Sequence, residues 1–393
     1  MKDYWSEEEK KTVNRKKIII TIVISLLIIA GITLGVFYVQ NANFREWTDK
    51  TIFHKEVKQD NLATIELKEG ENPTIYAFNQ TIGVLNKNEF SLYNSTGKEE
   101  KTVTLEITNP IFDTENRYLA IGENKGKKLY LMEDKDIAWE KNIEGEISQV
   151  HVNKNGYVAV AITGTIHKTV IAMYDPQGEE LFNIFVSYNR VGDIAISSDN
   201  KYLAIAEIDT SGTMIQSNIK IVSIDKAKTD PENYIVHTYT GEKNELVTNI
   251  KYQTKNQLVC LYPDKITRIT MDEKVETISQ NESKKITFQA IELTNHIATI
   301  EEKSSGLFTA DSIVTITNTE NKNTTTYAAD SVTKEIYTSN DIIALNLGTE
   351  IEFINTSGWL VKRYLAKQEI TQITMSGNLA GIIYRDRIEI INL

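Results

Sequence analysis

The sequence predicts an all-β fold, an eight-bladed β-propeller that is closed by an N-terminal strand and preceded by one transmembrane helix. Three observations lead to this prediction. A strand–turn–strand phrase recurs along the chain, no helical periodicity follows the first sixty residues, and Ile18 to Val39 is one uncharged apolar stretch. A seven-bladed ring is the alternative if one unit is misread.

Composition limits the classes of function. The single cysteine, Cys260, lies in an apolar run, so it predicts a buried core residue and excludes a disulfide framework and a cysteine-rich metal site. The net charge is −11, with +2 on residues 1–39 and −13 on the residues that follow. Such a surface repels phosphate backbones, which argues against nucleic acid as a partner.

The N-terminal segments predict a topology. Residues 1–17 are polar and basic next to the apolar stretch, and they are interpreted as a cytoplasmic tail. Residues 18–39 would form a helix of roughly 33 Å, enough to cross a bilayer, and this is preferred to a cleaved signal peptide or a core helix. The predicted location is the cell membrane, with the membrane as one partner and residues 62–393 forming an extracytoplasmic domain.

Residues 40–61 are predicted to be a juxtamembrane connector. Phe44, Trp47, Ile52 and Phe53 are spaced loosely, as on a helix. The segment would lie on the membrane, pack beneath the domain or act as a spacer, and the spacer is the preferred interpretation.

The repeats begin at Leu62. Each unit has an asparagine in its first hairpin turn, because asparagine tolerates the left-handed conformation that a tight turn requires, and an apolar strand with a small residue follows. The spacing of 37 to 56 residues is typical of a four-stranded blade. The turn asparagines are Asn79, Asn116, Asn155, Asn200, Asn256, Asn295, Asn340 and Asn378.

The last unit has only three strands before Leu393. Leu62–Leu67 is the natural donor of the fourth strand, because pairing it with Arg387–Leu393 removes the open edge of the ring.

The strand–turn phrase, with Tyr174-Asp-Pro-Gln-Gly178, resembles the quinoprotein-dehydrogenase-like and WD40-like propeller superfamily. The layout of one span and an extracytoplasmic propeller resembles an uncharacterised family of Gram-positive bacterial membrane proteins. The tryptophan phrase of quinoprotein blades is mostly missing, with only Trp139 and Trp359 near that position. The resemblance therefore implies the fold but no quinone cofactor, and no cofactor is predicted.

Catalytic motifs are missing from the sequence. It has no Gly-x-Ser-x-Gly, His-Glu-x-x-His, Cys-x-x-Cys or Gly-x-Gly-x-x-Gly. The five histidines are scattered, and His151 is interpreted as a blade residue rather than a metal ligand. Glu207 and Asp209 are interpreted as a solvated strand end, with a cation or acid–base role as the alternative. No catalytic or metal residue is predicted.

Candidate binding residues come from three longer loops with apolar tips, at 164–168, 211–217 and 304–310. On one rim of a propeller they would form a partner surface, the alternative being that the tips pack on one another. The candidates are Ile166, His167, Met214, Ile215, Leu307 and Phe308.

These observations predict a binding or assembly module for an extracytoplasmic protein, peptide or envelope polymer. Propellers also carry active sites in the central channel, so an extracytoplasmic hydrolase or dehydrogenase is the alternative, and a cluster of carboxylates and histidines at the axis would favour it. A ring docked permanently on another envelope component is the third hypothesis.

Overall fold

The computed structural model describes residues 15–53, 55–57, 62–68, 72–271, 274–280, 286–304, 310–329 and 331–393. The chain divides into two compact units, Met1–Glu56 and Val57–Leu393.

The described part of the first unit contains two helices, α1 (Arg15–Gln40) and α2 (Ala42–Thr51). Ile19–Gln40 is long and apolar enough to cross a membrane, and none of it is buried by the protein. Asn41 separates the helices and caps α2, where its side-chain oxygen accepts a hydrogen bond of 2.9 Å from Phe44 N.

The second unit consists of eight four-stranded antiparallel sheets. In blades 1 to 4 the strands are β2 (Thr74–Phe78), β3 (Thr81–Asn86), β4 (Glu89–Tyr93), β5 (Glu99–Thr104); β6 (Pro110–Glu115), β7 (Tyr118–Glu123), β8 (Lys128–Glu133), β9 (Asp136–Asn142); β10 (Glu146–Val152), β11 (Val158–Thr163), β12 (Thr169–Tyr174), β13 (Glu180–Val186); β14 (Arg190–Ile196), β15 (Tyr202–Asp209), β16 (Gln216–Ser223) and β17 (Ile235–Lys243). A short helix, α3 (Ile224–Thr229), joins β16 to β17.

The remaining sheets complete the ring. In blades 5 to 8 the strands are β18 (Asn249–Thr254), β19 (Gln257–Leu261), β20 (Lys265–Thr270), β21 (Val275–Gln280); β22 (Ile286–Ala290), β23 (His296–Ser304), β24 (Ala310–Asn318), β25 (Thr324–Ala329); β26 (Glu335–Ser339), β27 (Ile342–Asn346), β28 (Glu350–Asn355), β29 (Leu360–Leu365); β30 (Gln372–Ser376), β31 (Leu379–Ile383) and β32 (Arg387–Asn392), with β1 (Ala63–Glu66) as the fourth strand of blade 8.

The eight-bladed prediction and the predicted closure are both confirmed. Strand β1 pairs antiparallel with β32, with Ile65 opposite Ile388. The inner strands of blades 8 and 1 are also joined, because Ala77 N donates a hydrogen bond of 2.8 Å to Thr374 Oγ1. The first and last segments of the propeller therefore share one sheet, and the ring has no unpaired end.

The turn chemistry is confirmed at five of the eight asparagines. Positive φ values occur at the turn residues Asn79, Asn116, Asn200, Asn295 and Asn340. Asn155, Asn256 and Asn378 do not adopt this conformation. At two of these turns the neighbouring glycine, Gly156 or Gly377, adopts it instead, because a residue without a Cβ does so at no steric cost.

The core lies between consecutive blades. The strand after each turn is buried on both faces, as β11 shows along most of its length. One hydrophobic cluster joins Leu129 and Leu131 of blade 2 to Val158 and Val160 of blade 3, and the other junctions follow the same plan. Cys260 is fully buried, as predicted, and burial raises the pKa of its thiol.

Candidate functional sites on the propeller

A cluster of charged side chains crosses the axis of the ring. Lys251 on the inner strand β18 places its Nζ 2.6 Å from Glu292 Oε2 of blade 6 and 3.4 Å from Glu115 Oε2 of blade 2. Blades 2 and 5 are three positions apart in a ring of eight. Lys251 therefore reaches across the central channel and links strands that share no sheet.

His151 on β10 forms the second part of this axial cluster. Its Nε2 lies 3.2 Å from Asp193 Oδ1, and its Nδ1 lies 3.8 Å from Asp113 Oδ2. Each aspartate also accepts a backbone hydrogen bond of 2.7 Å from the inner strand of the next blade, from Ile250 N and Val152 N respectively. The aspartates join neighbouring blades as well as facing the imidazole.

The electrostatics of the cluster favour its charged form. Burial on its own would lower the pKa of Lys251, but the carboxylates of Glu292 and Glu115 outweigh it and raise the pKa. Burial likewise opposes charge on His151, yet the hydrogen bond to Asp193 and the charges of Asp113, Asp193 and Glu292 raise its pKa.

The axial groups are engaged with one another. Within the described part of the chain, the imidazole of His151 contacts the carboxylates of Asp193 and Asp113. No group of three or more His, Cys, Asp or Glu in the described ranges could hold a metal ion. The chemistry that this arrangement supports is charge compensation between blades.

The raised pKa of His151 predicts a pH-dependent contribution to stability. A proton bound more tightly in the folded state stabilises the ring fully below the unfolded pKa of about 6.5, and this stabilisation is lost as pH rises through the folded pKa. We expect His151→Gln to destabilise the protein more at about pH 5.5 than at about pH 8.5. Urea denaturation of both proteins across this range measures the difference. An equal loss at both values would show that His151 does not titrate against Asp113, Asp193 and Glu292, the carboxylates that raise its pKa.

The loop of blade 3 meets the connection between blades 3 and 4. His167 Nδ1 lies 2.9 Å from Ser187 Oγ, and the His167 ring lies 4.8 Å from the Phe185 ring, measured between centroids. Lys168 Nζ donates to Tyr188 O. Two large side chains next to these contacts lie in solvent: that of Ile166 is 97% exposed and that of Tyr188 is 86% exposed.

A pocket of about 170 Å³ lies beside this loop, between β13 and the middle strands of blade 4. Its polar wall is Glu207, which pairs with Lys220 Nζ at 2.7 Å and accepts a hydrogen bond of 2.8 Å from Asn189 Nδ2. Glu207 is only 2% exposed. The interpretation of Glu207 as a solvated strand end was therefore wrong, because a lysine on the adjacent strand lets the carboxylate be buried. Asp209 is partly exposed and accepts a hydrogen bond of 2.8 Å from Ser211 N.

The other predicted binding residues fall into two groups. Met214 and Ile215 are exposed on the hairpin between β15 and β16, in the blade that follows Ile166 and His167. Leu307 and Phe308 lie outside the described residues. We use the term loop patch for Ile166, Phe185, Tyr188, Met214 and Ile215.

Sequence reasoning missed Phe185, Tyr188 and Lys220. A signal was present in β13, where Leu181, Phe182, Ile184, Phe185 and Val186 are too many apolar residues for a strand with one buried face. Only Ile184 and Val186 are buried, and Phe185 is exposed.

Comparison with solved structures finds other propellers at low sequence identity. The chain is similar to BamB from Moraxella catarrhalis, with 14% identity over 85% of this chain and 97% of that one and a TM-score of 0.48. It is similar to apo AztD from Citrobacter koseri, with 12% identity over 79% of this chain and 91% of that one and a TM-score of 0.48. It is also similar to the β-propeller domain of Cps50 (Swd1) from Myceliophteria thermophila, with 12% identity over 84% and 99% of the two chains and a TM-score of 0.45.

No curated protein matches the sequence. A family described as a family of unknown function, DUF5711, matches residues 54–393, which include every strand of the propeller. The chain belongs to this family.

Proposed function

We propose that this protein is a membrane-anchored propeller that acts outside the cytoplasm as a binding or assembly module. The anchor is the apolar part of α1, and the working domain is the ring of residues 62–393. The partner is an extracytoplasmic protein, peptide or envelope polymer that docks on the loop patch. The resemblance to single-pass membrane proteins of Gram-positive bacteria supports this setting.

The observation that carries the proposal is the loop patch itself. Ile166 and Tyr188 are almost fully exposed, although burying their apolar surface would lower the free energy by about 25 cal/mol per Å². Loops held on a rigid ring are the usual place for recognition, and clustered exposed apolar residues are typical of protein-binding surfaces.

The basic residues ahead of α1 support the proposed topology. Arg15, Lys16 and Lys17 directly precede the apolar stretch, and such residues favour the cytoplasmic side. The predicted boundaries are a cytoplasmic tail at 1–17, a span at 18–39, a connector at 40–61 and an extracytoplasmic domain from 62.

The alternative function is a hydrolase or dehydrogenase at the axis. The axial cluster supplies the carboxylates and the histidine that this hypothesis requires. However, Lys251 pairs with Glu115 and Glu292, while His151 and the next blade occupy Asp113 and Asp193. Because the charged groups of the cluster satisfy one another, the geometry favours binding over catalysis.

Substitutions in the loop patch test the proposal. We expect the triple variant Ile166→Ser, Tyr188→Ser and Met214→Ser to lower recovery of a cross-linked partner from membranes by about tenfold or more, with an unchanged unfolding temperature. The side chains are exposed, so the ring does not need them for its own packing. Recovery is quantified by mass spectrometry after cross-linking in whole cells.

The matched control is the pair Val275→Ser and Leu365→Ser, which removes exposed apolar side chains from blades 5 and 7. The control should leave recovery unchanged. Equal recovery from the patch variant and the wild type would contradict the proposal. A large fall in its unfolding temperature would favour the alternative that the tips pack on one another.

A further inference from the structure

The helix α2 packs against the end of α1 instead of continuing it. The Phe44 ring lies 4.9 Å from the Phe37 ring, and the Phe53 ring lies 6.0 Å from the Tyr38 ring, measured between centroids. A continuous helix would separate Tyr38 from Phe53 by roughly 22 Å along its axis. Asn41 is therefore an elbow, and both ends of α2 contact the last turns of α1.

Two polar side chains of this elbow, those of Asp49 and Thr48, point inward. Asp49 is 3% exposed, accepts a hydrogen bond from Tyr38 Oη and pairs with Lys55 Nζ at 2.9 Å. Thr48 is also buried, and its hydroxyl donates to Phe44 O. Within this helix pair the carboxylate and the hydroxyl are thus satisfied away from solvent.

The large apolar side chains point outward. Trp47 is 52% exposed and Phe53 is 56% exposed, with Ile52 equally open beside them. A helix in water shows the opposite arrangement, with polar groups outside and apolar groups inside. This aromatic face continues directly into Phe37, which contacts Phe44 and is exposed on α1.

We propose that the aromatic face of the elbow, formed by Phe37, Phe44, Trp47, Ile52 and Phe53, lies in the headgroup region of the lipid bilayer as a second membrane contact. The inference rests on the proposed membrane span. We infer lipid as the partner of the aromatic face because this face is continuous with the apolar surface of α1. It is also rich in the aromatic residues that favour the membrane interface. The segment is then an interfacial anchor, rather than the passive spacer that the sequence favoured.

The depth of Trp47 tests this inference in the full chain. In vesicles of zwitterionic and anionic phospholipids, the variant Trp5→Phe, Trp139→Phe and Trp359→Phe leaves Trp47 as the only tryptophan. We expect the fluorescence emission of Trp47 to be blue-shifted. Lipids brominated near the headgroup should quench most of this emission, and lipids brominated near the chain ends should quench less of it. Aqueous acrylamide should quench little of it.

The matched control is the variant Trp5→Phe, Trp47→Phe and Trp139→Phe. Its one remaining tryptophan is Trp359, which is exposed on the propeller. It should be quenched by acrylamide and not by brominated lipid. A second variant, Ile52→Ser with Phe53→Ser, should move Trp47 towards water.

Retention of the chain on vesicles after an alkaline wash shows whether α1 spans the membrane. This measurement is independent of Trp47, so failure of the membrane span and failure of the interfacial contact are distinguishable. With the chain retained, Trp47 open to acrylamide and insensitive to brominated lipid would overturn the inference. Protection from both quenchers would also overturn it, because the face would then be covered by the propeller or by a second copy of the chain.

Discussion

Replacing Ile65 by aspartate is expected to open the ring and to lower the free energy of unfolding by about 4 kcal/mol or more. Ile65 is buried in β1 and lies in one core cluster with Ile388 and Ile390 of blade 8 and Ile82 and Val84 of blade 1. A carboxylate at this position would be buried without a cation and would also remove apolar contacts on both sides of the closure. Urea denaturation followed by far-ultraviolet circular dichroism measures the loss.

Glu66→Thr is the matched control, because Glu66 is the next residue of the same strand and its side chain is exposed. We expect the control to change stability by less than about 0.5 kcal/mol. If Ile65→Asp unfolded at the same urea concentration as the wild type, the shared sheet would not hold the ring together.

The sequence could predict the fold because its determinants are local. A turn asparagine such as Asn79 or Asn340 and the apolar strand after it lie within a few residues of each other, and the repetition of this pair reveals the blade. The closing strand could be predicted as well, since a ring with three strands in its last blade needs a donor.

The axial cluster could not be predicted because its contacts are remote in sequence. Lys251 and Glu115 are 136 residues apart, and each one alone is typical of an ordinary solvated strand end. Only the closed ring brings blades 2, 5 and 6 to one axis. The burial of Glu207 could not be predicted for a related reason. Its partner Lys220 lies on the next strand, beyond a hairpin whose register the sequence alone does not specify.

The loop patch was partly predictable. Ile166, Met214 and Ile215 could be found because longer loops with apolar tips are visible in the sequence. Tyr188 could not, since it lies in a short connection between blades that has no repeated signal. Its proximity to the blade 3 loop depends on the contacts of His167 with Ser187 and of Lys168 with Tyr188.

Removing the axial cation is expected to have the second largest effect. Lys251→Met keeps most of the side-chain volume but leaves Glu115 and Glu292 without their shared partner, close to Asp113. We expect a loss of about 2–3 kcal/mol, less than for a fully buried pair because water reaches both glutamates in part. Urea denaturation of the wild type and the variant measures the loss.

Two further variants separate charge from packing. Lys251→Arg keeps the cation and should retain most of the stability. The triple variant Lys251→Met, Glu115→Gln and Glu292→Gln removes the cation and both of its partners, and it should recover much of the loss, because neither glutamate is then left as a carboxylate without its cation. If the triple variant were as unstable as Lys251→Met alone, the lysine would act through the packing of its aliphatic stem, and the axial cluster would not be an electrostatic link between blades 2, 5 and 6.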